Sequence, residues 1–300
     1  GTRLVYEGPM TASRLLLIVS LALILAIGIW GVVDPESIVR IAAQAVNAYF
    51  ESRGWFVMLT ASGMLILCLA LAFSPYGSIR LGADDDRPEF STPSWIAMLF
   101  AAGMGVGLLF WAVAEPLTHF AFGKEFLPDP IAAQQALLAT NFHWGIHAWA
   151  IYGATALTIA YFTFRRGAPM LVSGPLLSLF PGETWSKAVG WLCDLLAIVA
   201  IAIGVGGSIA MGVFQVADGV DVMMGGAKAA PWLIAAVFAV TVAAYLPPLL
   251  VDLGTGMSRL SNIAMAIAIA LVAFVVVLVP TQFLLNSVVS SFGDYVTKAI

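Results

Sequence analysis

His143 and His147 stand four residues apart, one helical turn, and could share a metal ion or a proton. No HExxH pattern accompanies them, so a hydrogen-bonded interfacial histidine pair is the simpler reading. Glu115 and Asp194 border long apolar blocks, where a carboxylate serves as a helix-end cap, as the partner of an arginine, or as a proton carrier. There is no nucleophile–base–acid constellation. Trp144, Trp149 and Tyr152 form the most concentrated aromatic group: at about 100° per residue they fall near 0°, 140° and 80° around a helix, one connected arc. Such an arc could be an interfacial aromatic belt. It could also line a cavity and attract a quaternary ammonium group, which has no hydrogen to donate but stacks on ring faces at about 2 kcal/mol each when desolvated. Trp149 and Tyr152 lie about 6 to 10 Å deeper than the first residues of their block, which is deep for a belt.

The second chemical feature is backbone. Ala101-Ala102-Gly103-Met104-Gly105-Val106-Gly107 puts three glycines into five residues of an apolar block, at about 1 kcal/mol each relative to alanine in a helix. Two readings follow. Gly103 and Gly107 form a GxxxG pair that lets two membrane helices pack closely, or the helix unwinds here and presents bare carbonyls and N–H groups to a ligand. The run is not a dinucleotide fingerprint, since neither a strand nor an acidic partner accompanies it. A second cluster, Gly204-Val205-Gly206-Gly207-Ser208, predicts another interruption midway along a later block, and Gly225-Gly226 reads as a loop.

The elements that position these residues follow from composition. Of 300 residues 61% are hydrophobic and 10% charged, with a mean hydropathy of +0.98, which excludes an ordinary water-soluble globule. A net charge of −4 gives no basic surface for nucleic acid. Seven apolar blocks lack any Asp, Glu, Lys or Arg: Leu15–Val33, Trp55–Ser74, Trp95–Ala114, Gly145–Phe164, Leu195–Val216, Pro231–Val251 and Ile263–Val279. At 1.5 Å rise per residue, about 20 residues cross a hydrocarbon core, and blocks this uninterrupted predict helices and not barrel strands. The expected fold class is therefore an all-α integral membrane protein. With the amino terminus in the cytoplasm, Arg3, Arg14, Arg80, Arg87, Arg165, Arg166, Lys187 and Arg259 lie inside, and Arg40, Arg53, Lys124, Lys228 and Lys298 outside. The first block is too long for a signal-peptide core and lacks a small-residue cleavage site, so it reads as a retained helix. Glu36–Glu51 carries apolar residues at helical spacing with polar ones between them and predicts an interfacial helix. Cys68 and Cys193, in or beside apolar runs, read as small buried hydrophobes and not as a disulfide or zinc site.

Gly103–Phe120, GMGVGLLFWAVAEPLTHF, resembles the glycine stretch and Glu-Pro-Leu signature of the betaine/choline/carnitine transporter family. Ile79–Gly82 with Asp84–Phe90 is similar to that family's cytoplasmic loop. His143–Tyr152 resembles its fourth-span motif, and Pro280–Tyr295 the stretch leading into its eighth span. The resemblance covers almost the whole chain. It implies an inverted-repeat fold of the leucine-transporter type: twelve spans, two of them peripheral and ten in two inverted repeats of five, with substrate held between the repeats. Accordingly residues 1–14 are expected as a cytoplasmic tail, 15–93 as two peripheral helices with the interfacial helix and cytoplasmic loop, and 94–300 as the first five-helix repeat. Gly1 in place of Met and the end at Ile300 suggest an excerpt, and a lone repeat is expected not to transport.

The resemblance further implies a secondary active transporter of the bacterial inner membrane that performs no chemistry on its substrate, needs no cofactor and assembles as a homotrimer when full length. Trp144, Trp149 and Tyr152 match the family's aromatic box for a trimethylammonium group; Ala102, Gly103, Met104, Gly105 and Gly107 match the backbone near the ligand. Ala101 and Met104 match positions whose carbonyls help to hold a coupling sodium ion, and Ser208 stands where the family places hydroxyls for a second one. Choline-handling members tend to carry Asp at the end of the glycine stretch, where this chain has Gly107. A bare cation without a buried anion is costly to desolvate, so a zwitterion such as glycine betaine is favoured over choline. Three rivals are an ion-independent quaternary-amine exchanger, an intramembrane metal enzyme built on His143, His147 and Glu115, and a purely structural helix-packing protein.

Overall fold

The computed structural model describes residues 10–226, 229–250 and 253–298; Arg3 and Lys228 of the charge count lie outside the described residues. The described residues contain helices and no strand. Among the described residues, each apolar block lies mainly on helix: α1 Met10–Val33, α2 Pro35–Ala72, α3 Thr92–Gly123, α4 Asp129–Trp144, α5 Ile146–Ala160, α6 Gly174–Leu179, α7 Thr184–Met223, α8 Pro231–Leu250, α9 Leu253–Leu278 and α10 Thr281–Lys298. Among the described residues, four helices are by length and composition sufficient to cross a membrane, α1, α2, α7 and α9, or five if the bent α3 is one span. This is fewer than the seven blocks. The apolar part of α8 is shorter, and α5 is 15 residues long before passing into a π-helical turn at Tyr161–Arg165.

The chain divides into two compact bodies, residues 1–86 with 146–205, and 87–145 with 206–300. In the first body, Asp34 caps α2 by accepting from Ser37 N at 3.1 Å, with Pro35 following at the first helical position. The stretch Glu36–Glu51 is helical and runs without a break into the next apolar block. Small side chains let α2 meet α5 closely: Ala150, Gly153 and Ala154 recur at helical spacing on α5, and Cys68 Sγ on α2 lies 3.6 Å from the Ala150 carbonyl. Cys68 and Cys193 are both free thiols. Asp194 is buried and accepts from Ser173 N at 2.9 Å and Ser173 Oγ at 2.7 Å, so it ties the loop before α6 to α7. The loop motif at 79–90 is folded as well: Arg165 reaches the Gly82 carbonyl at 3.0 Å and Asp84 Oδ1 at 2.9 Å, while Arg80 donates to the Asp84 carbonyl at 2.9 Å.

In the second body α3 packs against α4 and α9, and α10 lies on α4. A Cβ at Gly123 would sit 3.3 Å from the Ala132 methyl, so α3 and α4 touch where both side chains are minimal. Asn262 Nδ2 on α9 donates to Ser94 Oγ near the start of α3 at 2.9 Å. Gln134 Nε2 on α4 donates to Asp294 Oδ2 on α10 at 2.6 Å, and Lys298 Nζ binds the other oxygen at 2.6 Å. Asp294 lies outside the candidate spans, and the hydrogen bonds from Lys298 and Gln134 hold its carboxyl below its ordinary range. A depressed folded-state pKa stabilises the fold above the unfolded value of about 4, and that contribution disappears as pH falls through the lower folded value. Thermal unfolding followed between pH 5 and 3 is therefore expected to show an acid-labile component that Asp294→Asn abolishes; an unchanged acid limb in the variant would mean the clamp contributes nothing.

The expected interruption at Gly204–Ser208 is absent: α7 is one continuous helix from Thr184 to Met223. Each glycine weakens the helix, yet in an apolar surrounding every backbone group that leaves the helix needs another partner. Gly225, with φ +85°, ends that helix in the left-handed conformation glycine accepts, and the expected loop at Gly225-Gly226 follows.

Candidate functional site

The glycine stretch breaks α3. Gly105 has φ −12° and ψ −124°, far from helical values, and the segments Thr92–Gly103 and Gly107–Gly123 meet at 56°. A Cβ at Gly105 would meet nothing within 4 Å, whereas one at Gly107 would lie 3.4 Å from Trp144 Cη2. Of these glycines, Gly107 backs an aromatic ring, and Gly105 stands open beside a bend. Ala101, Ala102, Gly103 and Met104 occupy the turn immediately before the break, with Ala102 and Gly103 exposed and Met104 described by its backbone alone.

The ring on Gly107 is held from its other end. Trp144 Nε1 donates to Glu115 Oε2 at 2.6 Å, while Oε1 of the same carboxylate receives His143 Nδ1 at 2.8 Å and lies 3.4 Å from His119 Nε2. Glu115 is 6% exposed, so three hydrogen-bonding partners surround a buried carboxylate on α3. Its place follows from helix geometry. Glu115 is eight residues beyond Gly107, about two turns, and helical side chains lean back toward the amino terminus, bringing the carboxylate and the glycine to the two ends of one indole. Sequence reasoning saw Glu115 as an edge carboxylate, with capping or an arginine partner as its ordinary duties, and missed this one. The legible signal was an acid at the border of an apolar block with a tryptophan able to donate to it.

The aromatic arc is not one helical face. Gly145 has extended dihedrals, φ −83° and ψ −154°, and ends α4, so Trp144 closes α4 in the second body while Trp149 and Tyr152 belong to α5 in the first. The reason is local crowding: a Cβ at Gly145 would collide with the Asn141 carbonyl and lie 2.7 Å from the Tyr295 ring, a fit that only glycine permits. Trp149 and Tyr152 pair edge to face with centroids 5.9 Å apart, Trp149 half-buried and Tyr152 39% exposed.

The histidine pair is divided by the same break. His143 ends α4 against Glu115, whereas His147 is buried on α5. The helical i, i+4 geometry that a shared metal would use is gone, and among the described residues no group of three or more His, Cys, Asp or Glu is arranged to hold a metal. Ser208 is half-buried on the unbroken α7. A groove of about 690 Å3 in the second body, lined by Phe110, Val113, Phe214, Gln215 and Asp218 among others, includes none of the expected site residues.

Comparison with known proteins adds the context. A family model described as "BCCT, betaine/carnitine/choline family transporter" matches residues 15–300. The glycine betaine transporter OpuD of Bacillus subtilis is 38% identical over 282 residues, 93% of this chain and 55% of OpuD. A probable glycine betaine transporter of Desulfitobacterium hafniense is 35% identical over 285 residues, 95% of this chain and 57% of that protein. The betaine/ectoine transporter LcoP of Corynebacterium glutamicum is 36% identical over 283 residues, 92% of this chain and 44% of LcoP. The chain spans about half the length of these curated relatives.

Proposed function

Because this chain belongs to the betaine/carnitine/choline transporter family, a family of transporters and not of enzymes, we propose that it forms the onium-recognising half of a secondary transporter for quaternary-ammonium compatible solutes, glycine betaine foremost. The observation that carries the reading is the placement of the Trp144 indole on Gly107, two residues past the break at Gly105, with its N–H tied down by Glu115. A ring fixed beside opened backbone offers a π face to a methylated ammonium group and N–H or carbonyl groups to the rest of a zwitterion. Ala102, Gly103, Met104, Gly105 and Gly107 are proposed as the backbone part of this site. Trp149 and Tyr152 are proposed, from the family resemblance, as further substrate-binding rings.

Sodium is the proposed coupling ion, with the carbonyls of Ala101 and Met104 as ligands. A bend at Gly105 loosens the i to i+4 pairing of the carbonyls in the turn before it, and a hard cation takes oxygen ligands of that kind. Ser208 is half-buried but sits on regular helix, so a second ion there has weaker support. The complete protein is proposed to lie in the bacterial inner membrane with a cytoplasmic amino terminus, to assemble as a trimer and to work by alternating access, this chain supplying two peripheral spans and the first of two inverted repeats.

Gly107 leaves the site without an anion at the glycine stretch, which favours a substrate that carries its own carboxylate. In uptake by the complete transporter, choline is expected to compete at least about tenfold more weakly than glycine betaine, and replacing external sodium by potassium is expected to abolish accumulation. Equal competition by choline would refute the assigned substrate class. Undiminished accumulation without sodium would refute the assigned ion.

A further inference from the structure

We propose that Glu115 is a positioning residue for substrate recognition, setting the depth and plane of the Trp144 ring without touching substrate. The proposal rests on the aromatic-site reading of Trp144 and extends it to a residue that neither the family description nor the relatives' names assign. The indole is held at its five-membered ring by Nε1 donation to Glu115 Oε2 at 2.6 Å, and its six-membered ring lies over Gly107, where an added Cβ would come within 3.4 Å of Cη2. The hydrogen bond at one ring and the helix at Gly107 beside the other limit how the planar ring can tilt. The carboxylate that makes the polar contact is itself immobilised, because its second oxygen receives His143 from α4 and is approached by His119 from α3. Glu115 is buried, so leaving its carboxylate or the indole N–H without a partner is costly.

This arrangement predicts a hierarchy. Without the acceptor the indole N–H is left unsatisfied, and the ring turns toward whatever polar group it can find. A glutamine would keep a carbonyl oxygen for the indole and turn its amide N–H toward His143, whose imidazole can present Nδ1 as acceptor in the other tautomer. The role therefore depends on the acceptor atom and not on the negative charge.

The test uses the complete transporter reconstituted in vesicles, with glycine betaine as the probe and KM and Vmax read separately. Glu115→Ala is expected to raise KM about tenfold with Vmax changed by less than about threefold, while Glu115→Gln stays within about threefold of wild type in both. Trp144→Phe, which keeps a ring but removes the N–H, is expected to match Glu115→Ala. The double variant should be no worse than either single one, since both remove the same hydrogen bond. An unchanged KM in Glu115→Ala, an equal loss in Glu115→Gln, or additive effects in the double variant would each overturn the proposal. If Glu115→Ala does not fold, Glu115→Gln against Trp144→Phe carries the same comparison. Should Trp144→Leu leave KM unaltered, the aromatic-site reading itself falls; should Trp144→Leu weaken binding while Glu115→Ala does not, only the positioning role falls.

Discussion

Trp144→Leu is expected to weaken glycine betaine binding by about 30-fold, the loss of one desolvated cation–π contact of about 2 kcal/mol. The substitution preserves apolar volume poorly but keeps an apolar side chain at the end of α4, so what disappears is the ring face beside the Gly105 break together with the N–H that Glu115 accepts. The affinity change should appear in titrations of the complete transporter and should be selective: a solute without a methylated ammonium group, competing weakly, should be affected far less. If the ring served only to pack against Gly107, the variant would lose thermal stability while its affinity for glycine betaine held. Affinity preserved within about twofold would reject Trp144 as a substrate contact.

Gly145→Ala is expected to destabilise the fold by about 1–3 kcal/mol and to disturb the site in the same stroke. The glycine has a negative φ, so the cost is steric and not conformational: its Cβ would collide with the Asn141 carbonyl in the last turn of α4 and lie 2.7 Å from Cζ and the hydroxyl of Tyr295 on α10. Neither obstacle is the end of a flexible chain. One is main chain, and the other is a ring 5% exposed, so relief requires moving the end of α4, where Trp144 is the adjacent residue. The thermal midpoint of the purified protein should drop by several degrees, and glycine betaine affinity should fall along with it. An unaltered midpoint would show that α4 and α10 part at this point without cost.

The residue types that mark the candidate site are visible in the sequence. The glycine stretch stands out because three glycines in five residues are costly in a membrane helix, and the structure does break there. The same signal at Gly204–Gly207 leads nowhere, and α7 runs straight through it. Local composition is equal in kind at the two places, and a Cβ would meet nothing within 4 Å at Gly105 as at Gly204, Gly206 or Gly207, so neither composition nor open space beside a glycine tells the broken helix from the straight one. Periodicity likewise put Trp144, Trp149 and Tyr152 on one face by assuming one helix. A single glycine in an apolar block is a weak breaker by its local cost, and what makes Gly145 decisive is Tyr295, 150 residues further along the chain.

The order of hydrophobic and polar residues by itself determined the class of molecule: helical and multi-pass, with a few aromatic rings, glycines and edge carboxylates standing out from the apolar runs. That much is local, since burying an apolar run in lipid requires only that the run satisfy its own backbone. Which edge carboxylate ties down a loop and which orients a ring was settled in three dimensions. Asp194 faces Ser173 and Glu115 faces Trp144 because of how α6 and α7, and α3 and α4, come together. A hydrogen bond acts over about 3 Å, and the partners that come within that reach are chosen by packing between helices distant in sequence.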